Sequence, residues 1–151
     1  MEIIDNFVTE TDFELLQNDK YTFFVLGRIL KGECNFIASD HNKIIICHSC
    51  KPFPLWIWTP DNVSQQEMET VYQILLENNF LTGEYTFNLK YDLATFLIER
   101  SSTDGKTLSL KKNMFAYDCP SPIEPVAEQK ADGTFSKATA EDLDDFIDLW
   151  D

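Results

Sequence analysis

The chain of 151 residues carries a formal net charge of −14, from 26 acidic and 12 basic residues. A surface of that charge repels nucleic acid and anionic membranes, so a protein that works by binding phosphates is disfavoured. A hydrophobic fraction of 44%, with twelve Phe, three Trp and five Tyr, is enough to build a core and excludes disorder along the whole chain. The length fits one domain of ordinary size with a short tail.

No targeting or membrane signal is visible in the sequence. It contains no run of 18 apolar residues, and residues 1–5 lack the basic start and apolar stretch of a signal peptide. We therefore expect a cytoplasmic protein whose four cysteines are free thiols.

Two helices are predicted within the first 33 residues. In the first, Leu15 and Leu16 follow Thr11, which we expect to cap the helix start. The second, residues 21–30, is too apolar for a surface helix and is expected to pack on a sheet. Gly27 costs this helix about 1 kcal/mol, and its expected use is the close approach of another backbone.

Strand signals follow. Residues 35–39 and 43–48 are predicted to form a hairpin around a turn at residues 40–42, and residues 55–58 a third strand. The run of three isoleucines at 44–46 indicates a strand buried on both faces. Trp56 and Trp58 should share one face of their strand, where core or inter-lobe packing is favoured over a stacking platform.

The middle of the chain predicts a second group of elements. Ser64 and Glu67 have the spacing of a capping box, and apolar residues recur behind them at helical intervals, so a helix is predicted over 64–79. A strand at 85–87, a helix at about 88–101 and a last strand at 107–118 complete this region.

A change of composition divides the chain after residue 118. Three prolines make residues 119–133 a linker, and residues 119–151 contain nine acidic and two basic residues. Beyond the linker, residues 135–137 are predicted to form a strand, and Thr139 to cap a helix with Leu143, Phe146, Ile147 and Trp150 on one face. We expect an N-terminal domain at 1–118, a linker at 119–133, and at 134–151 the start of a second lobe that is cut short.

Two stretches resemble the GNAT (GCN5-related) N-acetyltransferases. Residues 135–146, Phe-Ser-Lys-Ala-Thr-Ala-Glu-Asp-Leu-Asp-Asp-Phe, are similar to the opening strand and helix of many of these enzymes. Residues 21–60 resemble the non-catalytic first lobe found in a subset of them. The resemblance implies an α/β (α+β) fold with a mixed, mostly antiparallel sheet flanked by helices and without the usual first strand, followed by the first strand and helix of a truncated catalytic lobe.

The same resemblance locates the cofactor loop. In GNAT enzymes the pyrophosphate of acetyl-CoA rests on backbone amides of an (Arg/Gln)-x-x-Gly-x-(Gly/Ala) loop at a helix start. The equivalent loop here, 59–64, has no glycine, a proline without an amide hydrogen, an acidic residue, and a serine that fills the helix start. We therefore predict a degenerate site that binds no acetyl-CoA, formed by Pro60, Asp61, Asn62, Val63 and Ser64, and no catalytic or metal-binding residue.

The remaining motifs are weak signals for chemistry. Cys47 and Cys50 form a single Cys-x-x-Cys pair without a second pair for zinc and without a helix start for redox work, so structural thiols are favoured. Neither His41 nor His48 has a nucleophile partner by sequence, and His41 is expected to be solvated in a polar turn.

These observations favour a non-catalytic GNAT-like lobe of an acetyl-CoA-dependent N-acetyltransferase, which packs on the catalytic lobe and shapes the cleft for the acceptor amine. Its expected partner is the missing catalytic lobe, or a second copy through self-association of the C-terminal helix. The alternative is a stand-alone acidic protein-interaction module. An intact small acyltransferase ranks third, because it needs a glycine-containing phosphate loop.

Overall fold

The computed structural model describes residues 3–117, 121, 133–134 and 136–150. The chain divides into two compact units, Met1–Asp118 and Cys119–Asp151. The elements of the first unit, in chain order, are α1 (Glu10–Leu16), a 3₁₀ turn (Gln17–Asp19), α2 (Phe24–Ile29), β1 (Phe36–Ser39), β2 (Ile45–His48), β3 (Leu55–Trp58), α3 (Gln65–Glu77), β4 (Phe87–Asn88) and α4 (Tyr91–Thr103). Within the described residues, no helix combines the length and the hydropathy needed to cross a membrane.

The four strands form one mixed, mostly antiparallel sheet in the order β1-β2-β3-β4. The β1–β2 and β2–β3 pairs are antiparallel, whereas β3 and β4 are parallel, with Leu55 opposite Phe87. At the outer side of β1, Asp5 forms an isolated antiparallel bridge with Ser39. The predicted mixed α/β architecture is confirmed at this level.

Both faces of the sheet are covered by helices, because alternate strand residues point to opposite sides. One face carries Ile44, Ile46, Leu55 and Ile57, which pack with residues of α3 and α4; the other carries Ile45, Cys47 and Trp58, which pack with residues of α1 and α2. The buried isoleucine run is thus explained, as predicted. Trp56 and Trp58 lie in the second cluster, which confirms core packing on a shared face.

Helix starts follow local capping chemistry. The predicted cap of α3 is confirmed, since the Ser64 hydroxyl accepts a hydrogen bond from the Glu67 amide. The prediction that Thr11 caps α1 is wrong: the cap is Thr9, whose amide donates to the Asp12 carboxylate at 2.7 Å. A threonine with an acidic residue three positions later forms a capping box, and Thr11 lies inside the helix.

Four further predictions need correction. β4 is Phe87–Asn88 rather than 85–87, and α4 begins at Tyr91 rather than 88. Residues 107–117 form no strand; Met114, Phe115 and Tyr117 are exposed, so no buried face draws the segment into the sheet. Gly27 has open space where a Cβ would lie, so no backbone approaches it closely.

The second unit contains a 3₁₀ turn, Ala140–Asp142, and α5, Leu143–Trp150. The predicted cap is confirmed, because the Thr139 amide donates to the Asp142 carboxylate at 2.7 Å. Ser136 and Lys137 lie in no strand, contrary to prediction, and Phe135 lies outside the described residues. Most of the predicted linker, 119–133, also lies outside them.

Candidate functional site

The predicted cofactor loop, residues 60–64, connects β3 to α3. It turns through a hydrogen bond from the Val63 amide to the Pro60 carbonyl at 3.3 Å. The Ser64 amide then donates to Glu67 Oε2 at 2.7 Å, and Ser64 Oγ accepts from the Glu67 amide at 3.2 Å. Two of the amides that an anion would use at this helix start are therefore already bonded to side chains of the chain itself.

A carboxylate is held at this helix start by its neighbours. Glu67 is buried, and its Oε1 lies 2.6 Å from Lys43 Nζ. The hydrogen bond from Lys43, followed by that from the Ser64 amide, keeps the pKa of Glu67 below its usual value. The group is thus negatively charged at neutral pH, and its charge opposes the approach of a phosphate.

Lys90 lies against the same loop. Its Nζ lies 2.7 Å from Asp61 Oδ1 and 2.8 Å from Asp19 Oδ2, and Trp58 Nε1 donates to that same Asp19 oxygen at 2.8 Å. The hydrogen bond from Lys90 holds the pKa of Asp61 below its usual value. Asp61 is 91% exposed, so its pair is weakened by solvent, whereas Lys90 and Asp19 are mostly covered. Two carboxylates therefore already neutralise this cation.

A small cleft of about 220 Å³ opens between the loop and the start of α4. Its volume lies below the range of about 300–1,000 Å³ that is typical of ligand pockets. Within the described part of the chain, the buried hydroxyl of Thr59 has no hydrogen-bond partner. That the loop at residues 60–64 is a degenerate cofactor site stays a prediction, and the structure gives the geometry of this loop. The residues that line the cleft are Thr59, Pro60, Asp61, Val63, Lys90, Tyr91, Asp92 and Leu93.

A second polar cluster, which the sequence did not suggest, joins three separate segments. Asp12 is fully buried in the first turn of α1, and its Oδ1 accepts a hydrogen bond from Ser39 Oγ at the end of β1. Its Oδ2 lies 2.7 Å from His41 Nδ1, and His41 Nε2 lies 3.0 Å from Asp5 Oδ2. We call Asp5, Asp12, Ser39 and His41 the histidine cluster.

The β1–β2 turn presents His41 to the carboxylates. His41 adopts a left-handed backbone conformation, with φ of +57°. Asp40 supports the turn, because its Oδ1 accepts amide hydrogen bonds at 2.7–3.0 Å from residues 42, 43 and 44. Such local bonds are typical of aspartate in turns. The expectation that His41 is simply solvated is therefore wrong.

The cluster favours an imidazolium between two carboxylates. Its bond to Asp12 raises the pKa of His41 against the opposing effect of burial, and the bond to Asp5 adds to the rise. Burial alone would raise the pKa of Asp12, but the bonds from Ser39, Thr9 and His41 together leave it below its usual value. Both shifts favour the charged forms of the pair.

The cluster lacks the geometry of a nucleophilic triad. A serine nucleophile needs its hydroxyl bonded to a histidine ring nitrogen. Here Ser39 Oγ donates to Asp12 and accepts from the backbone amide of His41 at 3.0 Å, while both ring nitrogens face carboxylates. The arrangement ties the N-terminal segment, α1 and the β1–β2 turn together.

We expect the stability of the protein to fall as pH rises above 6.5 because of His41. Its pKa in the folded chain lies above the unfolded value of 6.5, so its contribution is complete below pH 6.5 and is lost as pH rises through the folded value. Urea unfolding at several pH values between about 5.5 and 9 should show this loss in the wild type and a weaker loss in His41→Asn. An equal loss in both proteins would contradict the assignment.

A second cleft, of about 460 Å³, lies at the other end of the sheet. Its buried floor includes His48 and Phe80, whose rings pack edge to face with each other and with Tyr85. His48 Nε2 lies 3.2 Å from the Phe53 carbonyl oxygen, which makes this nitrogen the proton donor. The aromatic rings therefore pack on one another. The lining residues are Asn35, Phe36, His48, Lys51, Asn78, Phe80 and Tyr85.

The structure separates the two cysteines of the Cys-x-x-Cys motif. Cys47 is buried in the core and Cys50 is exposed. Among the described cysteines, Cys34 contacts Cys47, with 3.3 Å between the sulfur atoms, and burial raises the pKa of Cys47. Among the described residues, no three His, Cys, Asp or Glu side chains are grouped to hold a metal ion.

Comparisons of the chain with protein-family models, curated proteins and solved structures find no match. The resemblance to GNAT enzymes thus stays a prediction that rests on residues 21–60 and 135–146.

Proposed function

We propose that residues 1–118 form a non-catalytic GNAT-like lobe of a cytoplasmic, acetyl-CoA-dependent N-acetyltransferase. The lobe packs on a catalytic lobe and shapes the side of the cleft that receives the acceptor amine. The non-catalytic role is supported by the contacts of the loop at 60–64. The Glu67 carboxylate binds the Ser64 amide at the helix start, and Asp61 is paired with Lys90.

The arrangement of the sheet supports the family assignment. Two helices, three antiparallel strands, a helix, a parallel fourth strand and a further helix follow one another in the order that the resemblance implies, but residues 107–117 do not form the last strand of that order. Ahead of α1, extended residue Asp5 bridges to Ser39.

Local charge supports the absence of acetyl-CoA binding. A pyrophosphate needs free amides and uncompensated positive charge at a helix start. Around this loop, Lys43 is paired with Glu67, and Lys90 is paired with both Asp61 and Asp19. A bound phosphate would have to displace these carboxylates. The net charge of −14 suits the attraction of a cationic amine instead.

We expect the purified chain to bind acetyl-CoA more weakly than about 1 mM and to transfer no acetyl group. Isothermal titration calorimetry measures the binding, and thiol release from acetyl-CoA measures turnover with polyamine and peptide amines. The double variant Asp61→Gly/Glu67→Ala removes the two carboxylates and should bind more tightly than the wild type. Asp92→Ala, at the rim of the same cleft, serves as the control.

Acetyl transfer by the wild-type chain that is abolished by replacement of residues 59–64 would contradict the proposed role. Binding that is equally weak in the double variant would show that the two carboxylates are not what prevents acetyl-CoA binding.

The alternative function, an acidic interaction module, is favoured by one observation. α5 exposes Leu143, Phe146 and Ile147, at 58%, 43% and 50% of their surface. Limited proteolysis distinguishes the two: cleavage near Ser121 favours a lobe separated from its partner, whereas a resistant C-terminal segment in a monomer favours the module.

A further inference from the structure

The outer face of α2 is apolar. Phe24 and Val25 of α2 are 61% and 45% exposed, and Tyr21, in the turn that precedes α2, is 55% exposed. The opposite face of the same segment is buried in the core through Phe23 and Leu26. We call Tyr21, Phe24, Val25 and Arg28 the α2 stripe. Neighbouring apolar side chains exposed in this way are typical of interaction sites.

The stripe also lies in a basic region of an acidic chain. Residues 20–32 contain Lys20, Arg28 and Lys31 and no acidic residue. Lys20 Nζ lies 5.0 Å from the centre of the Tyr21 ring, and the Arg28 guanidinium 5.8 Å from that of Phe24.

These cations differ from three others in the first unit. Lys51, Lys90 and Arg100 each form an ion pair with a carboxylate. Within the described part of the chain, no carboxylate forms such a pair with any of the three cations of residues 20–32. The stripe therefore presents apolar surface surrounded by positive charge that internal ion pairs do not neutralise.

α5 has the complementary pattern. Its exposed Leu143, Phe146 and Ile147 recur three and four residues apart, and residues 138–151 contain no basic residue. The capping box between Thr139 and Asp142 stabilises the helix start locally. The carboxylates exposed beside the apolar residues are Glu141, Asp144, Asp145 and Asp148.

We propose that the α2 stripe of one copy of this chain binds α5 of a second copy. An amphipathic helix places residues at i, i+3 and i+4 against an apolar surface, and charges of opposite sign at the rim set the orientation. A closed two-fold dimer makes this contact twice, since each copy offers both surfaces. The inference goes beyond the proposed function, because it holds whether or not the chain belongs to an acetyltransferase.

Sedimentation equilibrium of the full chain over about 5–500 µM tests the proposal, because a small interface predicts weak, concentration-dependent dimerisation. Phe24→Asp should raise the dimer dissociation constant at least about tenfold, since it places a charge in the apolar contact. Phe53→Asp is the matched control: Phe53 is 59% exposed, lies in the loop before β3 rather than in the α2 stripe, and the substitution should leave the constant unchanged. Circular dichroism melting of each variant establishes that it is folded.

A charge exchange makes the test specific to α5. Lys20→Glu/Arg28→Glu and Asp144→Lys/Asp145→Lys should each weaken the dimer, because each places like charges together. The chain that carries all four changes should dimerise again. A monomer at every concentration overturns the proposal, and so does a dimer that Phe24→Asp leaves intact or that the combined charge exchange fails to restore. Acetyl-CoA binding, measured on the same variants, tests the proposed function separately.

Discussion

Replacement of Trp58 with Ala should lower the free energy of unfolding by about 4 kcal/mol, the largest effect we expect from a single substitution. Trp58 is 1% exposed at the end of β3 and packs with Leu16, Phe23 and Leu26 of the α1–α2 layer. Its removal leaves a cavity the size of an indole in a fully covered face of the sheet.

Part of that effect comes from a polar contact. The indole Nε1 donates to Asp19, which also holds Lys90, and Lys90 Nζ lies 5.8 Å from the centre of the Trp58 ring. Trp58→Phe retains most of the packing but not this bond, so it should cost less, about 1–2 kcal/mol.

Urea unfolding followed by circular dichroism gives both values. Trp56→Ala is the matched control, since Trp56 lies on the same strand face but is only partly buried and should cost less than Trp58→Ala. A Trp58→Ala protein within about 1 kcal/mol of the wild type would contradict the observed packing.

Replacement of Asp12 with Ala should lower the free energy of unfolding by about 3 kcal/mol, because it breaks a buried network of charged groups. The Asp12 carboxylate accepts bonds from the Thr9 amide, from Ser39 and from His41. Without it, the covered Ser39 hydroxyl loses its acceptor and the imidazole keeps only Asp5, on its solvent side.

Thermal and urea unfolding of Asp12→Ala, Asp12→Asn and Thr9→Ala separate the contributions. Thr9→Ala removes only the cap side chain, at a cost of about 1 kcal/mol, and Asp12→Asn should fall between the two. Equal losses in Thr9→Ala and Asp12→Ala would show that capping, rather than the histidine cluster, accounts for the effect.

The acid side of the stability profile adds a second measurement. The pKa of Asp12 in the folded chain lies below its unfolded value of 3.8, so its contribution is present above pH 3.8 and is lost as pH falls through the folded value. The Asp12→Ala protein should lack this part of the acid transition.

Local signals in the sequence predicted several elements closely. β3 has the predicted bounds, Leu55–Trp58, and α3 begins after the predicted cap at Ser64. In both cases the signal lies within a few residues: a short apolar run between prolines, and a serine with a glutamate three positions later. The same kind of signal predicted the cap of α5 at Thr139.

Other predictions failed where the outcome depends on distant groups. The sequence predicts His41 to be a solvated turn residue, yet its ring contacts the carboxylate of Asp12, which lies 29 positions earlier in the chain. Residues 107–117 contain apolar side chains but no sheet partner. The capping box of Thr9 and Asp12 was missed in favour of Thr11, and nothing near these residues in the sequence indicates that the same carboxylate also binds Ser39 and His41.

Composition, periodicity and capping patterns thus predicted an acidic α/β protein with a sheet buried on both faces. Each of these signals can be read from a residue and its near neighbours in the sequence. The tertiary structure decided which charges meet. It paired Lys90 with Asp19 and Asp61, placed Glu67 on Lys43, and joined Asp12 to His41, while the cations of residues 20–32 were left without a carboxylate among the described residues. Ion pairs of this kind form between residues 24–71 positions apart, a separation over which no local pattern carries information.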